Sequence, residues 1–96
     1  MSDVITAAVA ALNEKMSGGF DAGSAKFVIE GEGAIIVDGD GARASDDDAD
    51  VTLIAAPDVF EDILAGNLNP TTAFMTGKLT VEGNMGLAMQ LGAVLG

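Results

Sequence analysis

Asn69-Pro-Thr-Thr-Ala-Phe-Met-Thr-Gly-Lys-Leu-Thr-Val-Glu-Gly-Asn-Met-Gly-Leu-Ala-Met-Gln-Leu-Gly-Ala-Val-Leu95 reads as a helix, a strand and a second helix. Asparagine followed by proline is a capping residue and a first-turn residue, so a short helix opens at Pro70, carries Phe74 and Met75, and stops at Gly77. Lys78-Leu79-Thr80-Val81-Glu82 then alternates polar and apolar, the period of a half-buried strand. Gly83-Asn84 caps a closing helix over 85–95 in which Gln90 is the one polar residue. At about 100° per residue, Leu87, Leu91, Val94 and Leu95 share one side, while Met85, Ala88, Met89 and Gly92 take roughly the opposite one. The leucine side can pack on a sheet. The methionine side also needs a cover, because a contiguous exposed apolar patch on a monomer has a reason.

Working upstream, Pro57 opens a helix whose first turns hold Asp58, Glu61 and Asp62, where the helix dipole favours them. Phe60, Ile63 and Leu64 form its apolar stripe and Gly66 ends it. Val51-Thr-Leu-Ile-Ala55 is a strand. Phe27 and Ile29 alternate with Lys26 and Glu30 up to a Gly31-Glu32-Gly33 turn, and Ala34-Ile-Ile-Val37 returns to Asp38-Gly-Asp-Gly41, a hairpin signal. A short polar strand near 42–46 follows. Over 3–17, Ile5, Ala8, Val9, Leu12 and Met16 make the stripe of an amphipathic helix stopped by Gly18-Gly19. The order predicts an α+β domain: a five-stranded, mostly antiparallel sheet covered on one face by helices, with residues 1–96 as a single domain.

Composition narrows the chemistry. The chain of 96 residues has 15 acids against four basic residues, a net charge of -11, so nucleic acid and stable membrane insertion are not expected. It has no cysteine and no histidine, which removes thiolate chemistry and the commonest general base and metal ligand. The start lacks the positive region of a signal peptide and no apolar run is long enough to span a bilayer, so a cytoplasmic protein is expected. Nearly half the residues, 49%, are hydrophobic, a surplus for so acidic a chain.

Three patterns resemble functional motifs and fail on context. Gly39-x-Gly41-x-x-Ala44 follows a strand, as a dinucleotide fingerprint does, but runs into Asp46-Asp47-Asp48 instead of a helix N-terminus. The acidic stretch Asp38–Asp50 has Arg43 where a calcium loop requires glycine, and is better read as a solvated turn. Glu30/Glu32 and Asp58/Glu61/Asp62 are explained by a turn and a helix start, and Lys26 and Lys78 fall on solvent-facing strand positions. No catalytic constellation, metal site or cofactor motif emerges, and a non-enzyme is expected.

The segment Asn69–Leu91 resembles the sterol carrier protein-2 family: an Asn-Pro helix start, a Gly-Lys-Leu strand and a Gly-Asn-Met-Gly-Leu-Ala-Met opening of the last helix. The hairpin Lys26–Gly41 and the helix Asp58–Gly66 fit the same order. The resemblance implies an apolar tunnel between sheet and helices that holds a fatty acid, acyl ester, sterol-like or quinone-type lipid. It implies a lining by Met85, Ala88, Met89 and Gly92, faced by Phe74, Met75, Phe60, Ile63 and Leu64. The family's frequent second-strand tryptophan is replaced here by Ile35, and no peroxisomal targeting tripeptide ends the chain, which fits a free-standing bacterial or cytosolic domain.

Two functional readings follow. In the first, the protein is a lipid carrier: a tail of about 16 carbons at about 0.8 kcal/mol per buried CH₂ gives roughly 13 kcal/mol before association costs. In the second, it is an interaction module, an accessory subunit presenting lipid to a partner enzyme or a homodimer through Val28, Ile36 and Ile54 on the outer sheet face.

Overall fold

The computed structural model describes residues 3–16 and 19–95. Four helices and five strands follow in the order α1 (Asp3–Lys15), β1 (Ala25–Ile29), β2 (Gly33–Asp38), β3 (Gly41–Ala44), β4 (Val51–Ala55), α2 (Pro57–Ala65), α3 (Pro70–Met75), β5 (Thr80–Gly83) and α4 (Met85–Leu95). The strands form one mixed sheet in the order β3-β2-β1-β4-β5. Three pairings are antiparallel; β1 and β4 at the centre run parallel.

Alternation in the strands decides which face is covered. Ala25, Phe27 and Ile29 of β1, and Val51, Leu53 and Ala55 of β4, are buried and join one core with Ile5 and Leu12 of α1, Phe60 and Ile63 of α2, Ala73 of α3, and Leu87, Leu91 and Leu95 of α4. All four helices therefore sit on one side, and Phe27 meets Phe60 edge-on at a centroid distance of 5.5 Å. Gly18, read as part of the α1 stop, lies outside the described residues. Its neighbour Gly19 has φ +78°.

The outer face departs from its expected reading. β3 lies at one edge and β4 lies beyond both β2 and β1, so residues 45–50 must cross the sheet. They cross on the outer face, where Lys26, projecting opposite to Phe27, reaches Asp46 at 3.2 Å. Lys26 is thus a mostly covered ion-pair partner and not a solvent-facing strand residue. Ile36, on the same face, is buried outside the helix-side core. That removes the centre of the apolar patch expected to join two copies; Val28 and Ile54 beside it are only half-buried.

The β2–β3 hairpin is closed by charge. Asp38 accepts from the amide of Asp40 at 3.0 Å and pairs with the Arg43 guanidinium at 2.9 Å. The guanidinium first, and that amide second, hold the Asp38 carboxyl below its ordinary value. A depressed pKa stabilises the fold above the unfolded-state value and ceases to do so as pH falls through the folded-state value. Asp38→Asn is expected to remove this contribution, flattening the acid limb of a stability-versus-pH curve below about pH 4.

One further turn fixes the site. β5 ends at Gly83, whose φ is +96° and where an added Cβ would stand 2.6 Å from the Asp50 carbonyl oxygen. The close approach lets Asn84 donate its amide to that same carbonyl at 3.1 Å. Gly83→Ala is expected to cost more than about 1 kcal/mol in denaturant unfolding, through the left-handed backbone and the clash together.

Candidate functional site: an apolar groove on the last two helices

Asn69 behaves as its sequence position predicts: its Oδ1 accepts from the amides of Thr71 at 2.8 Å and Thr72 at 3.4 Å. At the other end of α3, the amides of Lys78 and Leu79 donate to the Ala73 carbonyl, so these two residues are held by α3 and the strand begins at Thr80 instead of Lys78. Asn84 caps α4 by accepting from the Leu87 amide at 3.1 Å. α3 packs against α4, and α4 also against β4 and β5.

They approach closely at Gly92, where an added Cβ would lie 3.8 Å from Cβ of Pro70 and 4.0 Å from Oγ1 of Thr71. Away from that point the helices part over the sheet edge and leave a groove of about 280 Å³. Leu53, Leu79, Val81 and Ala88 are its more covered lining; Phe74, Met75, Met85 and Met89 stand at its rim. The rim is open to water: Met75 is 78% exposed and Met89 75%. Among the described residues, no charged side chain lines the groove, and Thr71 is the one polar residue of its lining.

Six of the nine residues expected to bind a ligand meet here: Phe74, Met75, Met85, Ala88, Met89 and Gly92. The other three lie elsewhere. Phe60 and Leu64 line a second cleft of about 350 Å³ between α1 and α2, with Val4, Ala7 and Ala11, and with Asp3 and Glu61 among its lining residues. Ile63 reaches only a void of about 10 Å³ beneath that cleft, among Leu12, Phe27, Ile35 and Leu95. The nine do not line a single cavity, because the layer between helices and sheet is filled by a packed core that includes the fully buried Leu91 and Ala73.

The helical wheel of α4 is right in outline. Leu87, Leu91 and Leu95 are buried, but Val94 is 47% exposed and does not join the sheet-facing side. Burial centres on Leu91, and Val94 sits on the flank turned away from the groove. Sequence reasoning missed Leu53, Pro70, Thr71, Leu79 and Val81 as groove residues. The alternation of β4 and β5 assigns Leu53 and Val81 to the helix-facing side, so that signal was present for two of them.

Residues 6–96 match the SCP-2 sterol transfer family. The chain belongs to that family. Among curated SCP-2 relatives, it is 36% identical over 91 residues to hydroxysteroid dehydrogenase-like protein 2 of Bos taurus, covering 95% of this chain and 21% of the relative. It is 39% identical over 74 residues to sterol carrier protein 2 of Homo sapiens, covering 77% and 12%. The chain thus spans about a fifth or less of these relatives. The fold is shared with sterol carrier protein-2 of Aedes aegypti in complex with a C16 fatty acid (palmitate), at a TM-score of 0.74 and 23% identity over 99% of this chain and 96% of that one. The five-stranded sheet with its four helices is the SCP-2 architecture. No helix among the described residues is long and apolar enough to cross a membrane.

Proposed function

We propose that this SCP-2 domain holds the apolar chain of one lipid in the groove between α3, β5 and α4, and carries or presents it without catalysing a reaction on it. The observation that carries the reading is the groove itself: four large apolar side chains left exposed around an uncharged trough. Its volume, about 280 Å³, falls just below the roughly 300–1,000 Å³ typical of ligand pockets. Flexible methionines at the rim suit an occupant whose length varies, since the thioether side chain repacks at little cost. The palmitate complex of the Aedes aegypti relative supports a fatty-acid-like occupant. Presentation to an enzyme, as an accessory subunit or within a longer chain, is favoured by the dehydrogenase-like relative of which this domain matches 21%.

The test is native mass spectrometry of the purified protein, followed by organic extraction and a titration with a fluorescent fatty acid. Near-stoichiometric binding of one acyl chain per protein is expected. The chain contributes no tryptophan or tyrosine background to that titration. No bound mass combined with a flat titration would sink the proposal.

A further inference from the structure

The readily oxidised side chains of this protein collect at one place. The sequence holds five methionines and no cysteine, tryptophan, tyrosine or histidine, so a mild peroxide finds thioethers as its side-chain targets. Met1 lies outside the described residues. Of the other four, Met16 is buried in the core, whereas Met75, Met85 and Met89 all line the groove between α3, β5 and α4. Met75 and Met89 are mostly exposed and Met85 is 44% exposed, so an oxidant dissolved in water reaches all three.

Oxidation there changes what the rim offers a lipid. The thioether sulfur donates an electron pair to one oxygen of a hydroperoxide: the S–O bond forms and the O–O bond breaks. The hydroxide released takes up the proton left on the sulfoxide oxygen and departs as water. Sulfur is oxidised by two electrons and the peroxide is reduced by two. The product is a polar side chain where a flexible apolar one had packed. An acyl chain lying over it strips water from the sulfoxide oxygen, and the lining offers little in return, since Thr71 near the α3–α4 crossing is its one polar residue.

We infer that Met75, Met85 and Met89 form a modification site: two-electron oxidation by a hydroperoxide turns the rim polar and releases the lipid, and a bound lipid shields the same three sulfurs. This rests on the groove being the lipid site and adds a chemical control over its occupancy. A thiol-dependent reductase reverses the change, removing the oxygen as water while two thiols become a disulfide.

The experiment treats the intact protein with dilute hydrogen peroxide, stopped while peptide mass spectrometry still finds Met16 unoxidised, and then titrates it with a fluorescent fatty acid. Sulfoxide at the three rim positions is expected to weaken binding about fivefold to tenfold with an unchanged circular dichroism spectrum. Methionine sulfoxide reductases of both stereospecificities, supplied with dithiothreitol, should restore the affinity. Palmitate bound beforehand should slow oxidation of Met75, Met85 and Met89 several-fold. A variant combining Met75→Leu, Met85→Leu and Met89→Leu retains Met1 and Met16; compared with itself before and after peroxide, it should show no change, whereas Met16→Leu should keep the full response. Three outcomes would overturn the inference while the lipid-binding proposal stood: a folded protein carrying all three sulfoxides with undiminished affinity, a triple variant that loses affinity on peroxide treatment, or rim methionines that oxidise as fast under palmitate as without it. Loss of the fold at this stage of oxidation would overturn it too, because the rim would then be a point of damage and not of release. No fatty-acid binding by the untreated protein would overturn both.

Discussion

Replacing Ala88 by tryptophan is expected to weaken lipid binding more than tenfold while leaving the domain folded. Ala88 is half-buried on the groove side of α4, between exposed Met85 and Met89, so a large side chain there projects into the trough and not into the closed core. Excluding two or three methylenes of an acyl chain costs about 2 kcal/mol, a loss of more than tenfold in affinity. Met89 is a poorer target: it is three-quarters exposed, and enlarging it leaves the lining below open. The control is Ala7→Trp, which fills the cleft between α1 and α2 instead. A fluorescent fatty-acid titration should show strong loss in Ala88→Trp and near-unchanged affinity in Ala7→Trp. The reverse pattern would move the lipid to the α1–α2 cleft. The introduced indole, in a chain with no other tryptophan, also reports by its emission whether it is shielded from water.

Leu91→Ala is the substitution expected to cost most in stability. Leu91 is fully buried on the sheet-facing side of α4, in the core shared by all four helices and the inner face of the sheet. Truncation removes the transfer free energy of the lost methylenes and leaves a cavity that a close-packed interior only partly closes, for a total of about 2–5 kcal/mol. A domain of this length is stable by roughly 5–14 kcal/mol, so the change removes a large part of the margin. Thermal unfolding should shift down by about 10 °C or more, and the urea midpoint should fall with little change in slope. A shift below about 1 kcal/mol would mean that α4 is not anchored through Leu91. The groove it shares with α3 would then be poorly fixed.

The two substitutions lie three residues apart on one helix and should separate cleanly, one in binding and one in stability. That separation was visible in the sequence. The nearly unbroken apolar character of 85–95 showed that α4 needed cover on two sides, and the 3.6-residue period sorted leucines from methionines. The element boundaries were equally legible where proline, asparagine and glycine punctuate the chain: Pro57 opens α2, Asn69 caps α3 and Gly66 ends α2 in the left-handed conformation. The start of β5 was not, because Lys78 and Leu79 continue the alternating pattern while their amides are committed to Ala73 of α3.

By itself the sequence determined the order and type of the elements, the sorting of strand faces, the acidic surface and the two-sided α4. All of these follow from local conformational preference and hydrophobic period, which act between residues close in the chain. Tertiary structure alone decided that Phe60, Ile63 and Leu64 stand apart from the methionine groove, that Ile36 is buried and Lys26 is covered, and that Thr71 lines the groove. Each of these depends on which residues distant in sequence come to share space. Periodicity gives the direction in which a side chain points; only the packed arrangement of helices and crossing loop determines what it meets there.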